Sequence, residues 1–533
     1  MARRDEQLCK REEEDDIIPK PKIDCKSADA ASMLRMQAQL NVDNLRHDDT
    51  ILDYTFMVCT KSIAYAPPES KLLALAFNLR SEITFKAKLI SDCLEDIKNA
   101  LLTHSCPDEV RSELYLRQAT CYQITKKNQS LIDEAFLNAR KFVKNMKAQS
   151  RDLMERKIVL QENKTPNDPM YYKVTYNEHP SMVQLKNENP DIPGASDAIT
   201  IKYDENYGRH IVATRDIKPG ETLLVQKPYA AVLYPSMRYN HCWYCRKQTW
   251  SSIPCEKCTK VMFCSSGCRA KAMLEFHDYE CPIIETILSY SDDTSFLLDL
   301  QLLIKGFKES NNSLDELKII FDEVEKEPES LKRGCTDDKF IFSTFRGILS
   351  LAVNMSFNEV RASYLLANNI LTAYHIATKT NIIGENISGK LSILKDNENF
   401  VFLMNVLSKL TYIADTNSHQ SSSVNADGKN VPIFVSIEPV FHFFNHSCVP
   451  TMTKIWHENL ENSFLEYDET DFIDTSNALR LEKKIESFIK VVEYFCENFQ
   501  KNSVQVYDVT TCLHKLLKLK QNKKTLLLHA WRN

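Results

Sequence analysis

Apolar residues recur with helical spacing through the first third of the chain. Two stretches show it most clearly: Ile90, Cys93, Leu94, Ile97 and Leu101, then Ile132, Ala135, Phe136, Ala139, Phe142 and Val143. Spacings of three and four residues place these side chains on one helix face. Short polar breaks at 66–70 and 104–107 separate the helices, and helix pairs repeat about every 34 residues. The pattern predicts stacked helical hairpins over 30–150, and the alternative is an ordinary helical bundle.

The pattern changes to short β-branched runs after residue 198. Residues 200–203, 210–214, 222–225 and 230–233 predict four strands of a small β-meander. Pro219 and Gly220 between the middle two suit a tight turn. Before the meander, residues 160–198 are rich in Asn, Pro and Glu, which predicts a linker.

Helical periodicity returns over 283–410. A Ser/Asn/Asp/Gly-rich loop is expected from Asn417 to Asn430, and a buried strand that runs into a turn is expected over 435–446. The bulky run 441–444 is interpreted as core. Two further apolar stripes, over 485–499 and 509–517, predict a terminal helical hairpin. The fold class expected is α+β and mostly helical.

Seven cysteines and one histidine form four close pairs: Cys242/Cys245, Cys255/Cys258, Cys264/Cys268 and His277/Cys281. A C-x-x-C knuckle aims two thiolates at one ion, and an i,i+4 pair puts both ligands on one helix face. Eight soft ligands make two closed four-coordinate sites, so two structural Zn²⁺ ions are predicted. The spacing leaves three ways of sharing the ions. Disulfides are the alternative, which four tandem ligand pairs disfavour.

Composition excludes several classes of function. A net charge of -5 with 26% charged residues makes no field that would gather nucleic acid. Six basic residues in the cysteine-rich segment are offset by nearby acids and are interpreted as solvated surface; they are Arg246, Lys247, Lys257, Lys260, Arg269 and Lys271. The charged N-terminus predicts no signal peptide, and no apolar run predicts membrane association. Scattered cysteines fit a reducing compartment, cytoplasm and nucleus.

Three motifs resemble one known family. Residues 207–221 are similar to the opening of a SET domain, 445–450 resemble its central motif, and the cysteine cluster resembles a MYND zinc finger. A SET domain split by a MYND finger is typical of the SET and MYND domain-containing proteins. Residues 54–81 and 116–119 resemble a tetratricopeptide array, which one member of the family carries. The domains implied are a disordered tail 1–28, helical repeats 30–150, a linker 151–198, SET parts 199–241 and 411–457, a MYND finger 242–281, a helical insert 282–410 and C-terminal helices 458–533.

The resemblance implies methyl transfer from S-adenosyl-L-methionine to a protein lysine. That reaction requires a neutral amine in a poorly solvated channel and a methyl group held in line with it. The cofactor contacts implied are Gly208, Arg209, His210, Asn417, Asn445 and His446. His210 as a plain strand residue and Asn417 as a loop residue are the alternatives. The family's MYND finger further implies one zinc on Cys242, Cys245, Cys264 and Cys268, and the other on Cys255, Cys258, His277 and Cys281.

The chain departs from the family after the central motif. A Gly-Glu-Glu turn, a channel tyrosine and a third zinc cluster are expected there, yet no glycine follows Gly428 and no proline follows Pro450. Tyr467 lies between acidic residues, so no catalytic residue is assigned. This departure favours the alternative function, a catalytically inactive adaptor. Its finger would bind proline-rich peptides and its repeats other proteins. The resemblance adds chromatin regulators such as histone deacetylases as partners, and a monomer is expected.

Overall fold

The computed structural model describes most of the chain up to residue 463. The described residues are 25–42, 49–164, 185, 187–218, 221–290, 294–328, 330–335, 339–353, 359–384, 389–424, 429–445, 455–457 and 460–463. Contacts divide the chain into two units. One contains residues 24–180 and 236–272, and the other contains 1–23, 181–235 and 273–533. The tail 1–24, the C-terminal hairpin and Tyr467 lie outside the described residues.

The first unit begins with seven helices. They are α1 (Ala28–Val42), α2 (Asp49–Tyr65), α3 (Lys71–Lys86), α4 (Ile90–Leu102), α5 (Asp108–Ile124), α6 (Gln129–Val143) and α7 (Ala148–Glu162). Each helix packs on the next one along the chain, and α1, α3, α5 and α7 also contact one another in sequence. The layered order is stabilised because each layer buries apolar side chains against its neighbours, such as Ala38 on α1, Ala76 on α3 and Met154 on α7.

The helix predictions for this region are confirmed by the structure. Cys93 and Ile97 are fully buried on α4, and Ala135 and Phe136 are buried on α6. The expected breaks at 66–70 and 104–107 fall between helices. Ser70 begins α3 as its N-cap, because its side chain accepts a hydrogen bond from the backbone N–H of Leu73.

The second unit contains a sheet that joins distant parts of the chain. Strand β1 (Ile199–Asp204) pairs antiparallel with β2 (Gly208–Ala213). Strand β3 (Ala230–Leu233) pairs with β7 (Asn430–Ile437), which also pairs with β6 (His419–Val424). A last hairpin is formed by β8 (Ile455–His457) and β9 (Leu460–Ser463). The MYND segment contributes the short strands β4 (Ile253–Pro254) and β5 (Met262–Phe263) to the first unit.

The meander prediction is correct for its first two strands. The strand expected over 230–233 also forms, but it does not continue the meander, and the strand expected over 222–225 is absent. Residues 222–225 form only a single bridge, between Leu224 and Ala195. Strand β3 is buried along its whole length and pairs with β7, about two hundred positions later. An entirely apolar strand is stable only where both of its faces are covered. Pro219 and Gly220 lie outside the described residues.

The remaining helices that the structure describes follow the strands of the finger, and all of them except α8 belong to the second unit. They are α8 (Ser266–Ala272), a π-helical turn (Met273–His277), α9 (Asp278–Glu280), α10 (Ile284–Tyr290), α11 (Ser295–Glu309), α12 (Leu314–Lys326), α13 (Phe345–Leu349), α14 (Glu359–Lys379), α15 (Leu391–Leu394) and α16 (Glu398–Asn417). The helical prediction for 283–410 is confirmed. Among the described residues, no helix combines the length and apolar character needed to cross a bilayer.

One local prediction near the central motif needs correction, and the other, a strand that runs into a turn, is confirmed. The polar loop expected from Asn417 is wrong, because Asn417 ends α16 and residues 419–424 form β6. Pairing with β7 overrides the weak strand propensity of this serine-rich run. The strand expected over 435–446 ends at Ile437 and is followed by a 3₁₀ turn, Pro439–Phe443. Phe443 is buried, as the core interpretation of this run expects.

Candidate functional site

The eight ligands expected for zinc form two separate sets in the structure. Cys242, Cys245, Cys264 and Cys268 make one set; Cys255, Cys258, His277 and Cys281 make the other. Within each set the ligand atoms all lie within 4.8 Å of one another. Of the three ways to share two ions, the structure has the cross-brace, in which the first and third pairs share one ion and the second and fourth pairs share the other.

The sulfur separations of the first set fit a tetrahedral zinc ion. Four thiolates at about 2.3 Å from Zn²⁺ lie roughly 3.8 Å apart. The Sγ atoms of Cys245 and Cys264 are 3.7 Å apart, and those of Cys264 and Cys268 are 3.5 Å apart. Soft sulfur donors in closed tetrahedral sites are typical of structural zinc, so the donor set and its spacing fit the ion.

Tight turns position the two C-x-x-C pairs. After the first pair, Arg246 adopts a positive φ of 62°, and its N–H donates to the carbonyl of Cys242 at 2.9 Å. In the second pair, the backbone N–H of Lys257 points to Sγ of Cys255 at 3.4 Å. An N–H aimed at a sulfur favours the thiolate that a metal binds.

Helical geometry positions the last two pairs, with one difference from expectation. Cys281 N donates to the carbonyl of His277 at 2.7 Å, so this pair has the expected i,i+4 helical contact. Helix α8 begins at Ser266, however, so Cys264 precedes it and only Cys268 is helical. Ser265 explains where the helix begins. Its Oγ accepts a hydrogen bond from the backbone N–H of Cys268 at 3.1 Å, so Ser265 acts as the N-cap.

A buried arginine joins the finger to the helices of the same unit. Arg80 on α3 donates from Nε and Nη2 to both carboxylate oxygens of Asp96 on α4, at 2.9 and 2.7 Å. The same guanidinium donates to Thr60 on α2 and to Oγ and the backbone carbonyl of Ser252 in the finger. Burial raises the pKa of Asp96 to about 6, while the Arg80 guanidinium lowers it and so favours the charged carboxylate.

Apolar contacts reinforce this joint. Tyr239 and Met262 of the finger belong to the same buried cluster as Ile63 and Phe77 of the helices. Trp250 packs edge-on against Phe56, with ring centroids 4.6 Å apart. The finger and helices α1–α5 therefore share one buried cluster. Sequence reasoning missed Arg80 and Asp96, although charged residues on the apolar faces of α3 and α4 are the signal that would have identified them.

The candidate cofactor residues that the structure describes lie in the second unit, on segments that share neighbours. Strand β2, which carries Gly208, Arg209 and His210, contacts the 3₁₀ turn Pro439–Phe443 that leads to Asn445. Asn417 is linked to Arg209 indirectly. Arg209 donates a hydrogen bond to Oγ of Ser350, and Nδ2 of Asn417 donates one to the carbonyl of Ala352, two residues further along the chain. His446 lies outside the described residues.

Arg209 is turned into the protein rather than toward a ligand. Its guanidinium donates to the carbonyl of Arg333 at 2.6 Å and to Ser350, through both Oγ and the backbone carbonyl. It also lies over the rings of Phe342 and Phe443, 5.4 and 5.0 Å from their centroids. The side chain therefore holds three separate segments together, and only the backbone of Arg209 is left for a cofactor.

The other candidates differ in what they leave for a ligand. Gly208 has a φ of 62° and nothing within 4 Å of the position a Cβ would occupy, so its surroundings are open. His210 bonds back to its own hairpin, with Nδ1 3.0 Å from the carbonyl of Gly208. Asn417 uses both amide hydrogens on the carbonyls of Ala352 and Ile413, so only its Oδ1 can contact a ligand. Asn445 is exposed.

Replacing Arg209 by methionine is expected to destabilise the second unit by about 2 kcal/mol. The change keeps much of the apolar contact with Phe342 and Phe443 but leaves the carbonyls of Arg333 and Ser350 without their donor. Urea unfolding of the full chain measures the difference. Arg215→Met is the control, because Arg215 pairs with Asp197 and Glu221 on the surface, where solvent screens ion pairs, and its replacement is expected to have a much smaller effect. Equal effects of the two changes would contradict the anchoring role of Arg209.

The chain contains a MYND finger. The family model described as MYND finger matches residues 242–281, the segment that holds all eight ligands. The match and the two ligand sets together support zinc binding.

Curated relatives extend the resemblance beyond the finger. A protein named Protein-lysine N-methyltransferase SMYD4 from Pongo abelii is 27% identical over 286 residues, 48% of this chain and 35% of the relative. The SMYD4 of Homo sapiens is 26% identical over 294 residues, 50% of this chain and 36% of the relative. A SET and MYND domain-containing protein of Dictyostelium discoideum is 22% identical over 268 residues, 48% of this chain and 68% of the relative.

The chain therefore contains a MYND finger and resembles SMYD4 proteins over about half of its length. The aligned region spans about a third of the length of the SMYD4 relatives.

Proposed function

We propose that this chain is an S-adenosyl-L-methionine-dependent protein-lysine N-methyltransferase of the SET and MYND type. The observation that carries the proposal is the convergence of Gly208, Arg209 and Asn417 with the turn that leads to Asn445. These residues come from three distant parts of the sequence, which are connected by the contact of β2 with the 3₁₀ turn and by the bonds of Arg209 and Asn417 to residues 350 and 352. In this proposal two zinc ions stabilise the finger, tetratricopeptide-like helices precede a split SET domain, and the protein acts in the cytoplasm and nucleus.

The available atoms suit the polar end of the proposed cofactor. The amino-acid part of S-adenosyl-L-methionine carries an ammonium and a carboxylate. Oδ1 of Asn417 accepts hydrogen bonds, as an ammonium requires, and the exposed amide of Asn445 offers donors and an acceptor. The open space beside Gly208 allows the cofactor to approach the backbone closely. The bound cofactor would supply the methyl group; the chain would supply its position.

Asn445→Ala is expected to weaken S-adenosyl-L-methionine binding at least about tenfold, because it removes hydrogen bonds that a charged ligand makes. Isothermal titration calorimetry on the full chain measures the affinity, and transfer of radiolabelled methyl to lysate proteins measures activity. Asn430→Ala is the matched control, because Asn430 is an exposed residue at the start of β7. Equal binding by both variants would exclude Asn445 from the cofactor site.

A second candidate function is a non-catalytic adaptor. It is supported by the layered helices α1–α7, a form that repeat proteins use to bind partners, and by an apolar stripe on α1. Met33, Met36 and Leu40 lie on one helix face and are 72%, 59% and 72% exposed. In this proposal the finger binds proline-rich peptides while the helices bind other proteins.

Binding and activity assays on the wild-type chain and on Asn445→Ala separate the two functions. Asn445→Ala is expected to bind the cofactor at least about tenfold more weakly while it retains any affinity for a labelled proline-rich peptide, measured by fluorescence anisotropy. A wild-type chain that binds the peptide but neither the cofactor nor a methyl acceptor is an adaptor. A wild-type chain that transfers methyl groups is an enzyme, whatever its peptide affinity.

A further inference from the structure

A buried carboxylate holds the histidine ligand of the second zinc set. Nδ1 of His277 lies 2.6 Å from Oε2 of Glu280, one helical turn later, and both side chains are fully buried. The other oxygen, Oε1 of Glu280, accepts a hydrogen bond from Nε2 of Gln301 at 3.2 Å. Gln301 is itself fully buried on α11. The three side chains form a hydrogen-bonded series that ends at the ligand.

The chemistry of this series determines which nitrogen of His277 carries the proton. An ionised carboxylate only accepts hydrogen bonds, so the proton between the two groups belongs to Nδ1. A neutral imidazole protonated at Nδ1 carries its free lone pair on Nε2. Without Glu280, the ring could take either tautomer and could rotate about its χ angles.

We infer that Glu280 is the positioning residue of the second zinc set and that Gln301 holds it in place. Glu280 fixes the tautomer and the orientation of the His277 ring, so that Nε2 is the atom that binds the ion. A carboxylate behind a histidine ligand also raises the basicity of the imidazole, and loss of such a group typically lowers metal affinity 10- to 100-fold. A full burial of Glu280 is consistent with this role, because a buried carboxylate must be paired to be tolerated.

Competition between the zinc-loaded full chain and a chromophoric chelator tests the assignment. In Glu280→Ala, one of the two zinc equivalents is expected to leave at a 10- to 100-fold lower chelator concentration, while the other equivalent is unchanged. Glu280→Gln is expected to have a smaller effect, because its side-chain oxygen can still accept from Nδ1. Gln301→Leu is expected to change the zinc release less than either Glu280 variant, since it removes only the hydrogen bond that supports Glu280.

Glu275→Gln is the matched control. Glu275 lies in the neighbouring helical turn and pairs with Lys305 at 3.5 Å near the surface. Neither zinc equivalent is expected to leave earlier in this variant.

Substitution by Co²⁺ supplies a second readout that reports the ligand field. Glu280→Ala is expected to change the absorption bands of the site with one nitrogen and three sulfur ligands, and to leave those of the four-sulfur site. Glu280→Gln is expected to restore most of the wild-type spectrum. If Glu280→Ala does not fold, Glu280→Gln and Gln301→Leu decide. Wild-type zinc release in both of those variants, or wild-type release and spectra in Glu280→Ala, would overturn the inference.

Discussion

Replacing Cys242 by serine is expected to release one zinc ion and to loosen the helices packed on the finger. Structural zinc sites contribute roughly 10 to 16 kcal/mol of binding free energy in small zinc-finger peptides at pH 7. Loss of one of four thiolates from the first set removes a large part of that stabilisation. Because Tyr239 and Met262 share a buried cluster with Ile63 and Phe77, unfolding of the finger also exposes the apolar faces of α2 and α3.

Two measurements follow this change. Elemental analysis is expected to find about one zinc fewer per chain, and hydrogen exchange is expected to show lower protection of α2 and α3. Cys25→Ser is the control, because Cys25 is an exposed thiol outside both sets. Full zinc content in Cys242→Ser would remove Cys242 from the ligands. If the variant loses one zinc ion as expected but hydrogen exchange of α2 and α3 is unchanged, the helices do not depend on the finger.

Replacing Arg80 by methionine is expected to destabilise the first unit by about 3–5 kcal/mol. The change leaves the fully buried carboxylate of Asp96 without its charged partner, and breaking a buried pair on one side costs this much. It also removes the donor to the buried carbonyl of Ser252. Thermal and urea unfolding of the full chain measure the loss. Lys98→Met is the control, because Lys98 pairs with Glu95 on the exposed side of the same helix as Asp96 and is expected to cost less than about 1 kcal/mol.

The double variant Arg80→Met/Asp96→Leu separates the charge from the packing. Apolar replacement of both members of a buried pair is often close to neutral, so the double variant is expected to recover much of the stability lost in Arg80→Met. The carbonyl of Ser252 still lacks its donor, so recovery is expected to be partial. If the double variant is as unstable as Arg80→Met, the loss comes from the finger contact rather than from the unpaired carboxylate.

The sequence predicted those features that depend on neighbouring residues. Helical spacing identified α4 and α6, with Cys93 and Ile97 on the buried side, because a helix repeats every 3.6 residues and its apolar face is visible locally. The four ligand pairs were also visible, since a knuckle or one helical turn brings both members of a pair together. Which pairs share an ion could not be read from spacing, because all three arrangements satisfy the same local geometry.

Long-range pairing was the main source of error. Residues 230–233 have the composition of a strand, but no local signal shows that their partner is 434–437 rather than the preceding run. The serine-rich residues 419–424 were assigned to a loop because their strand state depends on β7. Arg80 and Glu280 escaped prediction for a related reason: a charged residue is ordinarily solvated, and only its partners across the fold make burial tolerable.

The linear order of residues by itself determined the mostly helical class, the cysteine-rich finger and the resemblance to SET and MYND domain proteins, because each depends on spacing within one short segment. Residue spacing left open how the eight metal ligands divide, and the tertiary structure groups them in two sets of four. The tertiary structure also placed Arg209 over Phe443 in the turn before Asn445, and brought Gln301 to Glu280. Those arrangements depend on contacts between residues far apart in the chain, whose free energy no local pattern records.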